Sequence, residues 1–455
     1  MYRKAEYYLK NWKIKSNRKP LVIRGARQVG KTYLVRSFAK EFDNIVEINL
    51  ERDPEIGQLF SSNNPAKIIQ LLGLQYDQKI TPGKTLLFLD EIQAQPQVFA
   101  ALRYFYEEMP NLHIIAAGSL LEFSLEKPTF SVPVGRIEYL HLGPMQFDEY
   151  LQAVATSNLV EFLHQFEFGD ELPSPLHHKF LEHLQTFFIV GGMPEAVKTL
   201  KETNSWQKCK EVKTGIIATF SDDFNKYGAR VKDFTLQNLF KKIPLQVGQK
   251  FKYVNIDRNQ RAAAVAQALQ LLCQARVATR IYHSSANGVP LGAEINEKKF
   301  KMIFVDVGLM STVCGLNLLD FEKAENILLI NNGAVCEQFI GQHLLYNLDY
   351  YQEPELYYWV REKKNSSAEI DYLISHGQTI VPIEVKAGTT GTLKSMQLFL
   401  KEKNRELGVR FNSGPPSVLE CSGTLPIDNN TPFKLISLPL YMVGETRRLL
   451  KSELS

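Results

Sequence analysis

The feature that most constrains this chain is the stretch Gly25-Ala26-Arg27-Gln28-Val29-Gly30-Lys31-Thr32, a complete G-x-x-x-x-G-K-T. A short apolar run, Leu21 to Ile23, precedes it, and Leu34, Phe38 and Phe42 share one helical face after it. Strand, glycine loop and helix therefore occur in the order that phosphate binding requires. The glycines let backbone N–H groups wrap the phosphates, and the helix N-terminus adds its positive end. In that arrangement Lys31 reaches the β- and γ-phosphates and Thr32 holds Mg²⁺.

A second apolar run, "TLLFLDEIQ", ends in Asp90 and Glu91, where an open parallel sheet presents groups to a ligand. Asp90 is placed to hold the magnesium through a water, and Glu91 to polarise an attacking water. An acid pair here favours hydrolysis over phosphoryl transfer to a small acceptor, the alternative chemistry of a P-loop kinase. "IVEINLE" and "HIIAAGS" read as further strands, with "QVFAALRYFYEEM" as a helix between the acid pair and the second of them. Ser119, at the end of that last strand, is either a γ-phosphate sensor or a turn serine. Arg136, in "VGRIEYL", is either a surface arginine or one that stabilises transition-state charge in a neighbouring subunit or domain.

Together "RGARQVGKT", "LLFLDEIQ", "AAGSLLEF", "VGRIEYLHLGPMQFDEYL" and "VGGMPEAV" resemble the prokaryotic AAA+-superfamily ATPases of the archaeal-type branch. The resemblance covers nearly the whole chain. It implies ATP and Mg²⁺ as cofactors, a small helical lid after the nucleotide domain, and a C-terminal region of unknown function with a restriction-endonuclease-like core.

Residues 151 to 249 are helical by their spacing, with a break at Gly191-Gly192-Met193-Pro194. A helix from about Gln260 to Cys273 and two strands around a glycine-containing turn then give the layout of a winged helix, carrying Arg258, Arg261, Arg276 and Arg280. Such a unit either lays a helix on DNA with arginines on phosphates or only packs between domains.

Beyond it, "NNGAVCEQFIGQHLLYNL" is a helix containing Glu337, and "LYYWVRE", "AEIDYLIS" and "TIVPIEVKA" are strands. Period-two alternation puts Glu384 and Lys386 on one face, a hairpin away from Asp371. An aspartate, a Glu-x-Lys and a preceding helical glutamate form the arrangement of the PD-(D/E)xK nuclease fold. Asp371 and Glu384 would hold Mg²⁺ on oxygen ligands, Lys386 would position hydroxide or stabilise developing charge, and Glu337 would complete the metal site or orient the groups around it. The bland alternative is an exposed charge pair on a strand. "NSGPPSVLECSGTLPIDNNTP" reads as loop.

Composition excludes some classes. Hydrophobic residues are 44% and charged residues 22%, as in folded globular chains, and the net charge of +4 permits nucleic acid without requiring it. The five cysteines, Cys209, Cys273, Cys314, Cys336 and Cys421, form no C-x-x-C pair. The N-terminal stretch lacks a signal-peptide core and no long apolar run occurs, so a cytoplasmic protein is expected. The expected architecture is α/β: a P-loop parallel-sheet ATPase domain over 1–150, a helical lid over 151–230, a winged-helix-like region over 231–320 and an endonuclease-like α/β domain over 321–455. Its partners would be a nucleotide, DNA, and a second copy or a partner protein. The open alternative is an ATP-driven switch that binds nucleic acid or protein through an inactive nuclease scaffold.

Overall fold

The structure is a computed structural model, and it describes residues 1–119, 133–155, 157–227, 233–256, 261–316, 332–363, 366–388, 393–421 and 432–454. The chain divides into two compact units: Met1–Pro144 with the short segments Gln274–Val277 and Leu348–Pro354, and the remainder.

The first unit is a parallel five-stranded sheet in the order β2-β3-β4-β1-β5, with β1 at Leu21–Arg24, β2 at Asn44–Asn49, β3 at Thr85–Asp90, β4 at His113–Gly118 and β5 at Glu138–His141. Every residue of β3 and β4 is buried. Helices cover both faces of such a sheet, so its central strands read as continuous apolar runs rather than alternating ones. Helices α1 (Ala5–Ile14), α2 (Lys31–Phe38), α3 (Pro65–Gln75) and α4 (Pro96–Glu108) supply the cover. On one face Leu87, Leu89, Ile114 and Ala116 pack with Ile68, Leu72, Leu102 and Phe105. Each such large side chain, fully buried, contributes about 1.5–3 kcal/mol.

The strand order decides the site. β4 lies between β1 and β3, so the loop after β1, the acids ending β3 and Ser119 after β4 all open on the carboxyl edge of one sheet. The strand, helix and parallel-sheet expectations for this region agree with the structure.

The second unit combines helices, from Phe147–Val154 through Trp206–Tyr227, with a mixed eight-stranded sheet in the order β12-β13-β11-β10-β9-β8-β6-β7. Its strands are β6 (Ala278–Ser284), β7 (Ile295–Phe304), β8 (Tyr357–Lys363), β9 (Ser366–His376), β10 (Thr379–Val385), β11 (Leu407–Asn412), β12 (Ser417–Cys421) and β13 (Phe433–Pro439). The helix Lys394–Lys403 joins the parallel neighbours β10 and β11, and its Met396, Phe399 and Leu400 pack on Trp359, Ile370, Leu373 and Ile380.

Two expectations change here. The hairpin anticipated as a wing, β6–β7, is the end of the eight-stranded sheet, because β6 pairs parallel with β8, so the sheet runs across residue 320. Residues 417–421, expected as loop, form strand β12, an antiparallel edge partner of β13 that leaves Leu419 half exposed. The first unit's main segment ends at Pro144. A capping box follows: Gln146 accepts from the Glu149 backbone while Glu149 bonds back to the Gln146 N–H, and the Gln146 amide also donates to Tyr346 O at 2.8 Å.

The Gly191-Gly192 break has a tertiary cause. A Cβ on Gly192 would lie 2.1 Å from Met145 O, and one on Gly191 2.1 Å from Asp306 Oδ1. Asp306 is fully buried and accepts from Gly192 N at 2.7 Å and Leu309 N at 3.0 Å. Burial raises its pKa, and these backbone donors oppose the rise.

Candidate functional sites

The phosphate loop is shaped by its glycines and by one unusual residue. Gly30 has φ 92°, Gln28 has φ 63°, and a Cβ on Gly25 would meet Leu142 O at 2.2 Å, so Gly25 permits β5's exit to cross directly over the loop. Lys31 is buried, and its ammonium bonds to Gly25 O at 2.9 Å and Ala26 O at 2.8 Å within the loop. Thr32 Oγ1 donates to Asp90 Oδ2 at 3.0 Å, and Asp90 Oδ1 accepts from Glu91 N at 3.1 Å. Burial raises the Asp90 pKa, against the Thr32 bond that lowers it. A buried carboxylate beside a hydroxyl, both hard oxygen donors, fits a magnesium ion, whose charge would offset that burial cost.

Glu91 stands at φ 53°, outside the strand, and its Oε2 accepts from Gln93 Nε2 at 2.5 Å and from Ser119 Oγ at 3.5 Å. Ser119 therefore reaches the acid expected to polarise water. Gln93 was not singled out from the sequence, although its place two residues past the acid pair was a usable signal.

Arg136 stands apart from this group. It precedes β5, whose first residue bonds to Pro20 O before β1, so it lies at the sheet edge opposite the phosphate loop. There its Nε bonds to Glu107 Oε1 at 2.8 Å. Among the arginines expected to meet DNA, Arg276 belongs to the first unit and pairs with Glu353 at 3.1 Å. Arg280 bonds to Gln270 at 3.0 Å and lies over the Phe300 ring, Arg261 is exposed, and Arg258 lies outside the described residues.

In the second unit the hairpin β9–β10 does bring the expected residues together. Asp371 Oδ2 accepts from Val385 N at 2.8 Å, reaching the backbone between Glu384 and Lys386. Those two pair with each other, Nζ to Oε1 at 2.5 Å. Burial raises the Glu384 pKa against the lowering pull of Lys386, and Glu384 Oε2 is buried without a hydrogen-bond partner among the described residues. Glu337, on the helix Asn332–Tyr346, sits over the same sheet face, where its backbone O accepts from Tyr372 OH at 2.8 Å.

Among the described residues no three of His, Cys, Asp or Glu come together to hold a metal ion. Lys301 on β7 is 3% exposed and lies 3.5 Å from Glu337 Oε2 and 3.7 Å from Asp371 Oδ1, with a direct ion pair to Glu369. Burial alone would lower its pKa; the three carboxylates outweigh burial and raise it. Burial, then Asp371, pushes Glu337 up to about 8, against the pull of Lys301. Lys301 and Glu369 were missed in the sequence. Glu369 could have been found, since it stands two residues before Asp371 on the same strand face. Lys301 offered a fainter signal, a lysine set among Phe300, Met302, Ile303 and Phe304.

Comparison with known proteins agrees with the first unit. Residues 17–151 match the model described as AAA domain. The chain carries an AAA-type P-loop ATPase domain. Residues 181–320 and 332–441 match two models, each described as a domain of unknown function (DUF8612 and DUF4143). No curated protein matches. Among solved structures, the Walker-type ATPase PABY2304 of Pyrococcus abyssi is 16% identical, covering 69% of this chain and 95% of that one at a TM-score of 0.44. The Aeropyrum pernix ORC1 protein in complex with DNA is 10% identical, covering 69% and 93% at 0.25, and AMPPCP-bound DnaA from Aquifex aeolicus is 16% identical, covering 60% and 86% at 0.25. At these TM-scores none of the three speaks for what this chain does. No described helix is long and apolar enough to cross a membrane.

Proposed function

We propose that this protein hydrolyses ATP with Mg²⁺ and uses the cycle to drive a nuclease-like domain that engages DNA. The observation that carries the hydrolysis reading is the Thr32–Asp90 bond with Glu91 beside it, at the mouth of the phosphate loop. Loop N–H groups and Lys31 would bind the phosphates, exchanging the ammonium's present carbonyl partners for phosphate oxygens. Thr32 and Asp90 would hold the magnesium, which supplies charge neutralisation at the phosphates. Glu91 would orient the attacking water and accept its proton, with Ser119 fixing the carboxylate. A contribution from Arg136 requires a second copy of the chain, because Arg136 lies at the far edge of its own sheet.

For the second unit, the meeting of Asp371, Glu384 and Lys386 on one hairpin supports a nuclease-like core. Binding is favoured over cutting by the engagement of these carboxylates with lysines and backbone rather than with one another. The test is ATP hydrolysis and DNA nicking, with and without DNA, Mg²⁺ or Mn²⁺, in wild type, Lys31→Ala and Lys386→Ala. The expected result is ATP turnover that Lys31→Ala abolishes, DNA binding, and no nicking. Normal turnover in Lys31→Ala overturns the ATPase assignment; metal-dependent nicking lost in Lys386→Ala restores the cutting reading.

A further inference from the structure

The acidic cluster of the second unit is gathered around a buried lysine. Glu337 comes from the helix Asn332–Tyr346, Glu369 and Asp371 from one face of β9, and Lys301 from β7, three elements far apart in sequence. The Lys301 ammonium meets all three carboxylates. Asp371 has its other oxygen committed to Val385 N, and Glu384 has Oε1 committed to Lys386. A hard divalent ion needs about six oxygen ligands, commonly including more than one carboxylate. Of the oxygens in these contacts, Glu384 Oε2 is buried without a hydrogen-bond partner among the described residues, while the others named face a lysine or a backbone N–H.

We infer that Lys301 is the resident cation of this cluster: its ammonium stands where a divalent ion would sit, so the second unit holds its carboxylates together without metal. The inference rests on reading this sheet as nuclease-like. Lys301 also has a mechanical consequence. It fastens β7 to the helix carrying Glu337, alongside the paired bonds of Gln338 with Phe304 N and O, each 2.7 Å. A fixed ammonium holds that junction at any metal concentration, whereas a bound ion would make it depend on supply.

The test is a Mn²⁺ titration of the nucleotide-free full-length chain, followed by electron paramagnetic resonance of free Mn²⁺, with Asp90→Asn present throughout to silence the nucleotide site. The chain with Lys301 intact is expected to bind no Mn²⁺ at the cluster, and its unfolding temperature should not respond to EDTA. Lys301→Gln should gain one Mn²⁺ site, at least about tenfold tighter than any residual Mn²⁺ binding by its parent, and an unfolding temperature that rises with Mn²⁺. If Lys301→Gln does not fold, the double variant Lys301→Gln with Glu369→Gln removes one charge of each sign and is read the same way. Mn²⁺ bound with Lys301 intact and lost in Glu337→Gln overturns the inference, as does a folded Lys301 variant that binds no more Mn²⁺ than its parent. DNA nicking by the Mn²⁺-loaded Lys301 variant, measured separately, bears on the nuclease-like reading: metal gained without nicking leaves Lys301 as resident cation and counts against that reading alone.

Discussion

Thr32 Oγ1 donates to Asp90 Oδ2 across 3.0 Å, although the two residues are 58 positions apart in the chain. One opens α2 and the other ends β3, and the strand between their strands is β4. The bond therefore reports the strand order as well as the chemistry. Thr32→Val deletes the donor and leaves a buried carboxylate short of a partner, at a cost of about 1–3 kcal/mol in stability. ATP turnover at saturating Mg²⁺ should fall by at least about 10²-fold, and nucleotide affinity should lose its dependence on Mg²⁺. Steady-state hydrolysis and nucleotide titration with and without EDTA check both.

Glu91 is held by Gln93 and approached by Ser119. Glu91→Gln should retain ATP binding and lose hydrolysis by about 10²–10⁴-fold, the range for a general base. Gln93→Ala should act in the opposite direction. A hydrogen bond to a charged group is worth about 1.5 kcal/mol, so releasing it should raise basal kcat by up to about tenfold with KM unchanged. A fall in kcat would identify Gln93 instead as the group that positions Glu91 for water.

Gly192→Ala places a Cβ 2.1 Å from the Met145 carbonyl, a backbone atom that cannot swing aside. The expected loss is about 3 kcal/mol of second-unit stability, within the range of strained core substitutions. Circular dichroism melting reads it, and ATP binding by the first unit should persist.

The first unit should weaken in acid. Burial lowers the His113 pKa to about 4, and burial, with Arg276 and Arg24 adding, lowers that of His141 to about 3. Both are neutral when folded, while the unfolded chain protonates them near 6.5 and so binds more protons. Stability is therefore full above about pH 6.5 and declines as pH falls toward 4, by on the order of 3 kcal/mol for His113. Unfolding temperatures between pH 7 and 4.5 should show this decline, and His113→Gln should make it shallower while leaving the share from His141.

The sequence by itself determined everything that short-range pattern encodes. Gly25 to Thr32 announce their loop because the strand before, the glycines within and the helix after are contiguous in the chain. Asp90 and Glu91 are legible at the end of an all-apolar run, and Glu384 and Lys386 share a side because strand periodicity is two. Tertiary structure alone decided which strands are neighbours. It put β4 between the loop and the acid pair, carried β6 and β7 into the larger sheet, and set Arg136 at the edge away from the phosphates. It also brought Lys301 to Glu337 and Asp371, residues whose separation in sequence carries no periodic signal. Those pairings are fixed by hydrogen-bond ladders and packing between distant segments, and a buried ammonium declares its role only through the carboxylates that folding gathers around it.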